Sequence, residues 1–291
     1  MRFVGHIACT FAAIACVGCT GNSAVGTEEA NNMVSDFEIK IVEKSLKMSY
    51  RCVGDTTYGA DVDVYTTAGA VLQWPEKFGQ ADVTPLQDTL LVRCFGNDSV
   101  KVAINEAISA YVADPVTLDS DAKLETVDSI PTAAIGDNAR MLEKEINVKL
   151  LSANSRIASF EVFRYMYGGG AHPIYASTFV NFDLLRSKVL EFADVIQPGK
   201  ESELLSVVKH NLHNRYGVAT DEQLEAASGI NVEAISYALQ SPTFYFNGSN
   251  IVFYFNPYEI GPWAIGTVEV PVSVYELEGI ISPEAKNLLN E

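Results

Sequence analysis

The residues best suited to chemistry fall in two short stretches. Tyr167-Gly168-Gly169-Gly170-Ala171-His172 places an imidazole after three glycines, where the backbone can take φ > 0 and approach a neighbour closely. One reading is a ligand-facing loop at a strand end, with His172 as hydrogen-bond donor or base. The other is a tight turn whose histidine pins the loop through a backbone hydrogen bond, and the residues favour it, because loops need anchoring as well as function. The second stretch gathers Tyr254, Tyr258 and Trp263 beside Pro257 and Pro262. Such a cluster suits stacking on a glycan or a protein partner, although aromatic strand residues are more often buried. The candidate binding residues are therefore Tyr167, Gly168, Gly169, Gly170, His172, Tyr258 and Trp263.

His210 and His213 lie three apart on a helical pattern, and with His172 they would complete a three-histidine zinc set. Nothing in the sequence brings the three together, and cationic side chains in a helix's last turns suit its macrodipole. No metal and no cofactor is expected. The chain shows no GxSxG elbow, phosphate loop or dinucleotide fingerprint. No catalytic residue is assigned.

These residues must be positioned by an α+β fold, expected as two small mixed subdomains whose mostly antiparallel sheets pack against helices. The first spans 36–140. Phe37, Ile39 and Ile41 alternate with charged residues as in a half-buried strand, and Val62, Val64 and Ala70–Trp74 suggest more strands. A helix follows with Thr84 as N-cap, Pro85 at the first helical position, Gln87 closing a capping box and Gly96 as stop. A second helix shows Val100, Ala103, Ile104, Ala107, Ile108 and Tyr111 on one face, with Asn97 or Asp98 as cap. Residues 114–140 read as a polar linking excursion.

The second subdomain, 141–291, opens with strands Ile146–Leu151, Ile157–Tyr167 and Tyr175–Asp183. A helix over Glu201–Tyr216 ends at Gly217, and Thr220 with Gln223 caps a shorter one. Phe244–Phe246 and Ile251–Phe255 flank Asn247-Gly248-Ser249-Asn250, a hairpin signal. Val268, Val270, Val272 and Val274 alternate in a last strand, and Ser282-Pro283 starts a terminal helix.

Composition narrows the partners. Hydrophobic residues make up 48% of 291 residues, enough for a sizeable core. The formal charge is −17, a field that repels phosphate backbones and makes nucleic acid a poor partner. A strongly basic partner would be attracted, although solubility alone accounts for such acidity.

The N-terminus reads as an export signal. Arg2 precedes the apolar stretch Ile7–Val17, too short for a bilayer that needs about 20 apolar residues. Val17-Gly18-Cys19 then resembles a lipoprotein cleavage site, with Cys19 as lipid acceptor and Cys16 as runner-up; a plain secretory signal is the alternative. Residues 1–18 are thus a lipoprotein signal peptide, and 19–35 a flexible acidic tether. Cleavage removes a single charged residue, Arg2, and leaves −18. Cys52 and Cys94 then remain in the folded part, an even pair that suggests a disulfide in an oxidising compartment, worth at most about 4 kcal/mol. Two unrelated buried thiols are the alternative.

Three passages carry a family resemblance: Tyr167–His172, Asn181-Phe182-Asp183-Leu184, and Phe253–Gly266. Together they resemble the domain of unknown function at the C-terminus of the lysozyme-sensing anti-sigma factor RsiV. The preceding region, with Leu72-Gln73-Trp74-Pro75 and two helices, resembles the partner domain that also stands before the peptidoglycan deacetylase PdaC. The resemblance implies an extracytoplasmic α+β module over roughly residues 36–291. The deacetylase's paired-Asp and HxxxH text is absent, as are a sigma-binding segment and a membrane-spanning helix.

The expectation is a lipid-anchored, non-catalytic module of the cell envelope, on the periplasmic or surface-exposed face of the outer membrane. Its partners would be the membrane, through the lipid, and either a cationic protein such as lysozyme or a cell-wall glycan. The alternative is a glycan or peptidoglycan hydrolase with its site around His172.

Overall fold

A computed structural model describes residues 37–55, 60–96, 102–114, 123–126 and 139–289. The expected signal segment 1–18, the tether 19–35, Cys19, and the cap candidates Asn97 and Asp98 lie outside these residues.

The alternation that begins at Phe37 runs far beyond Ile41. Strand β1 (Phe37–Asp55) pairs along its whole length with antiparallel β2 (Ala60–Phe78). Short β3 (Lys123–Thr126), within the expected linker, pairs with the far end of β1. β4 (Ala139–Ala153) lies parallel to β2 and antiparallel to β5 (Ile157–Tyr167), followed by β6 (Ile174–Asp183) and β7 (Lys188–Leu190). The result is one seven-stranded sheet in the order β3-β1-β2-β4-β5-β6-β7. The division expected at 140/141 falls inside β4, so the first sheet continues across it to residue 190.

Helices α1 (Thr84–Phe95) and α2 (Ile104–Ala113) cover one face of this sheet. Leu86, Leu90 and Ile108 meet Leu72, Ile146, Phe160, Val162 and Phe182 in a buried core. Fully burying a phenylalanine such as Phe160 contributes about 1.5–3 kcal/mol. Pro85 and Gly96 bracket α1 as the sequence requires, with Gly96 at φ 93°. The cap differs from expectation. Val83, not Thr84, precedes the helix, because Asp82 Oδ1 already accepts from the Thr84 N–H at 3.0 Å. Gln87 is drawn away by Pro75, whose carbonyl accepts from its Nε2 at 2.7 Å.

The rest of the chain forms a second layer. Five helices, α3 (Phe192–Val195), α4 (Glu201–Tyr216), α5 (Asp221–Ser228), α6 (Val232–Ala238) and α7 (Pro283–Leu289), surround a three-stranded sheet. Its strands are β8 (Thr243–Asn247), β9 (Asn250–Phe255) and β10 (Val268–Ser273), ordered β10-β9-β8. Phe244, Phe246, Ile251, Phe253, Val270 and Val272 turn inward to meet Leu204, Val208 and Leu212 of α4. Seven helices and two mostly antiparallel sheets among the described residues make the fold α+β.

Edge strand β8 would expose unpaired backbone groups, and polar side chains of the large sheet cover them. Ser159 Oγ accepts from Phe246 N at 3.1 Å, Asn181 Nδ2 donates to Phe244 O at 3.0 Å, and Ser152 Oγ donates to Phe246 O. Ser159 and Asn181 are joined at 2.7 Å and buried, so the two sheets are locked by a satisfied polar seam.

The expected Cys52–Cys94 disulfide is not formed; Cys94 is a buried free thiol on α1. Arg164 of β5 donates to the carbonyls of Arg93 and Cys94, which fixes the end of α1 above it. Through β4 and β2 that point lies level with Lys44 of β1, whereas Cys52 is eight residues further along the strand. At about 3.3 Å per residue this is roughly 26 Å, far beyond the ~7 Å that a disulfide spans. Burial pushes the Cys94 thiol up to about 12, against the opposing pull of Arg164. Cys94 should therefore resist iodoacetamide at pH 8 in the native protein and react fully in denaturant without reductant. Peptide mass mapping checks this; blocked labelling after denaturation would restore the disulfide.

Candidate binding site

β5 and β6 form a hairpin whose tip is the glycine stretch. Of the three glycines only Gly169 is left-handed, at φ 81°. Tyr167 Oη donates to Gly170 O at 3.2 Å and ties the turn to its own strand. Beyond it, His172 Nδ1 lies 2.9 Å from Pro173 O and Nε2 lies 3.1 Å from Tyr258 Oη. A carbonyl can only accept, so Nδ1 carries a proton, and in the neutral ring Nε2 accepts from the Tyr258 hydroxyl. The imidazole also stacks on Trp263, with centroids 4.3 Å apart and planes 19° apart. Tyr175 of β6 meets Trp263 edge-on at 6.3 Å, and Phe163 lies 6.2 Å from Tyr175.

Tyr258 and Trp263 belong to the β9–β10 connection, and three local features set them there. First, Asn256 docks on β6. Its Oδ1 accepts from Ser177 N at 2.7 Å and its Nδ2 donates to Ser177 O at 3.1 Å, as a neighbouring strand would. Second, Tyr258 takes φ 73°, a left-handed backbone that costs a bulky residue about 1–3 kcal/mol. Third, Gly261 passes so close to Gly229 that a Cβ there would stand 2.8 Å from the Gly229 carbonyl oxygen. Ile260 is buried beside it and accepts from Asn231 N at 2.7 Å. One 3-10 turn, Trp263–Ile265, then leads into β10.

The outcome is an aromatic ledge on the surface. Tyr258 is 64% exposed, while His172 and Trp263 are half-buried beneath it. The Trp263 indole N–H is buried without an acceptor among the described residues, a group that costs about 1–3 kcal/mol to leave unmet. Both ring nitrogens of His172 are engaged, so this geometry holds the imidazole as an anchor for the ledge. The Nδ1 contact to the Pro173 carbonyl is a backbone hydrogen bond of the kind the turn-pinning reading expects, and the ring is half-buried.

The other histidines stand apart from it. On α4, His210 meets Asn214 Nδ2 at 2.9 Å, and His213 Nε2 lies 3.0 Å from Asp221 on α5. Lys209 shares that carboxylate, and its hydrogen bond holds the Asp221 carboxyl below its ordinary range. Among the described residues no group of three or more His, Cys, Asp or Glu is arranged to hold a metal ion, and no helix is long and apolar enough to cross a membrane.

Sequence reasoning missed Tyr175, Asn256 and Ser177. Asn256-Pro257 is a turn signal, but nothing local to it shows that the carboxamide docks 79 residues away. Behind the ledge, Phe179 packs against Tyr245 at 4.8 Å and Tyr254 at 5.1 Å. Burial beside Glu269 pushes the Tyr245 phenol up to about 12. Tyr254, grouped with Tyr258 and Trp263 in the sequence, is therefore a buried packing residue.

No curated protein matches the chain. Solved structures share its fold, two of them from the DUF3298 family. One is a DUF3298 family member from Bacteroides fragilis, 22% identical, with a TM-score of 0.64 over 87% of this chain and 98% of that one. The other is a DUF3298 family protein from Pseudomonas aeruginosa, 13% identical, with a TM-score of 0.51 over the same shares. The family described as "Protein of unknown function (DUF3298)" matches residues 193–275, the helices and small sheet that carry Tyr258 and Trp263. The part of the chain that the DUF3298 model matches is thus the second layer, built against a seven-stranded sheet that supplies His172.

Proposed function

We propose that the chain is a non-catalytic recognition module, held in the cell envelope by a lipid on Cys19, that engages a cell-wall glycan or a cationic protein such as lysozyme. The observation that carries this is the convergence of His172, Tyr258 and Trp263 from two distant segments into an exposed aromatic ledge. A strained, 64% exposed tyrosine is costly to maintain for packing alone. An aromatic face suits a sugar ring, which would stack on the exposed Tyr258. A cationic partner is favoured by the charge of −17 through electrostatic steering. The export pattern ending at Cys19 and the resemblance to the RsiV C-terminal domain support the envelope setting.

The test titrates the purified chain with soluble peptidoglycan fragments and with lysozyme at low and moderate salt. Tyr258→Ala and His172→Ala should each weaken binding by about tenfold or more, as for a buried aromatic anchor. No binding of either ligand at either salt removes this function. Product release by the wild type that disappears in a folded His172→Ala variant would install the hydrolase instead. Mass spectrometry of the native product should find residues 1–18 removed and Cys19 acylated; an unprocessed start removes the envelope setting.

A further inference from the structure

The face of the large sheet opposite α1 and α2 is only partly covered. The second layer reaches β4, β5 and β6 through β8, while β1 and β2 are open on that side among the described residues. Across this open face lies a groove of about 630 Å³ lined by Glu43, Thr67, Gly69, Glu143, Glu145 and Tyr165 among others. It crosses β1, β2, β4 and β5, about 14 Å at the usual strand spacing.

Strand alternation has segregated charge across the sheet. By strand alternation Glu43, Glu143 and Glu145 stand on the groove face, while Lys44 and Lys144, which also line the groove, send their ammonium groups to the helix side. There Lys44 Nζ donates to Ser109 at 2.7 Å, and Lys144 Nζ pairs with Asp114 at 3.1 Å over the Tyr111 ring. None of the three groove carboxylates has a cationic partner among the described residues. Lys47, across from Thr67, is exposed and outside the lining. The groove floor is Gly69, in the interior of β2. A Cβ there would meet nothing nearer than Glu145 Cγ at 3.8 Å, so the chain's own packing leaves room for a side chain. A strand-interior glycine weakens a sheet and often marks close approach by another molecule.

We infer that this open face docks an extended basic segment of a protein partner, with an arginine seated over Gly69 between the groove carboxylates and the Tyr165 ring. Guanidinium matches both neighbours, since it pairs with carboxylates in bidentate fashion and stacks on aromatic faces. The inference is independent of the ledge ligand, because no ledge residue lines the groove.

The probe is hexa-arginine titrated into the full chain at low salt. Gly69→Val should weaken binding by about tenfold or more, and Glu143→Gln with Glu145→Gln should do the same. Neutralising three acids remote from the groove in sequence and layer, Glu222, Glu233 and Glu284, should cost less than about threefold, the loss expected of general steering. Tyr258→Ala should leave hexa-arginine binding unchanged. Thermal melts confirm that each variant folds; if Gly69→Val does not, Gly69→Ala takes its place. The inference is overturned if the Gly69 variant binds within twofold of wild type, if the remote neutralisation is equally damaging, or if Tyr258→Ala abolishes binding.

Discussion

Asn256→Ala should destabilise the protein by about 3 kcal/mol, although it removes neither an apolar contact nor an ion pair. The side chain is buried and serves as a strand partner for Ser177, itself 1% exposed. Truncation strands the Ser177 N–H and C=O where water cannot replace the lost amide, at about 1–3 kcal/mol per orphaned group. It also loosens Glu259, which closes the turn carrying Tyr258: Oε1 loses Asn256 Nδ2 at 3.3 Å, while Oε2 keeps the backbone N–H at 2.9 Å. The same variant should therefore lose ligand affinity at the ledge. Asn256→Asp is the sharper probe. It keeps the acceptor for Ser177 N but turns a carboxylate toward Ser177 O and Glu259. A carboxyl facing oxygens has its folded-state pKa raised, so it destabilises above its unfolded value and recovers as pH falls through the folded one. Urea unfolding should show the Asp deficit shrinking between neutral and mildly acidic pH, with the Ala deficit constant. A parallel pH response of the two would mean that Asn256 does not face Ser177 O.

That docking shows where the sequence was readable and where it was not. Elements specified by local pattern were legible: β5 at 157–167, α4 at 201–216 with Gly217 left-handed at φ 65°, and the Asn247–Asn250 hairpin. Each is fixed by a period, a stop residue or a turn that lies within its own stretch. The length of β1 was hidden because both of its faces are exposed over part of its run. From Glu43 to Lys47 its residues are all exposed, so apolar alternation fades while the strand continues. The parallel pairing of β2 with β4 was hidden for a different reason, since no turn motif announces a partner reached through two helices. The capping box at Thr84 failed because two acceptors outside the motif, Asp82 and Pro75, compete for its donors. At the ledge the residue types were legible and their assembly was not. His172 and Trp263 each looked like a structural residue in its own segment, and only the fold stacks one on the other.

Gly261→Ala should be as damaging as the loss of Asn256, and through the opposite defect. Gly261 needs no left-handed backbone; it needs the absence of a side chain. A Cβ would stand 2.5 Å from Ile265 Cδ1 and 2.8 Å from the Gly229 carbonyl oxygen. The first contact is with the end of a flexible side chain and can be relieved by rotation. The second is with backbone already committed, because Gly229 ends α5 at φ 75° and its N–H donates to Glu225 O at 2.9 Å. The chain must then move Gly261 away from α5, at a cost of about 2–3 kcal/mol for overpacking. Trp263 lies two residues on, so the shift should also separate the indole from His172 and change Trp263 fluorescence. Ile265→Val separates the two causes by removing Cδ1. Added to Gly261→Ala, it should restore only a minor part of the lost stability. Full recovery in a thermal melt would show that the side chain sets the limit and that the Gly229 backbone can yield. The ledge would then owe its position to Asn256 and to the left-handed Tyr258 alone.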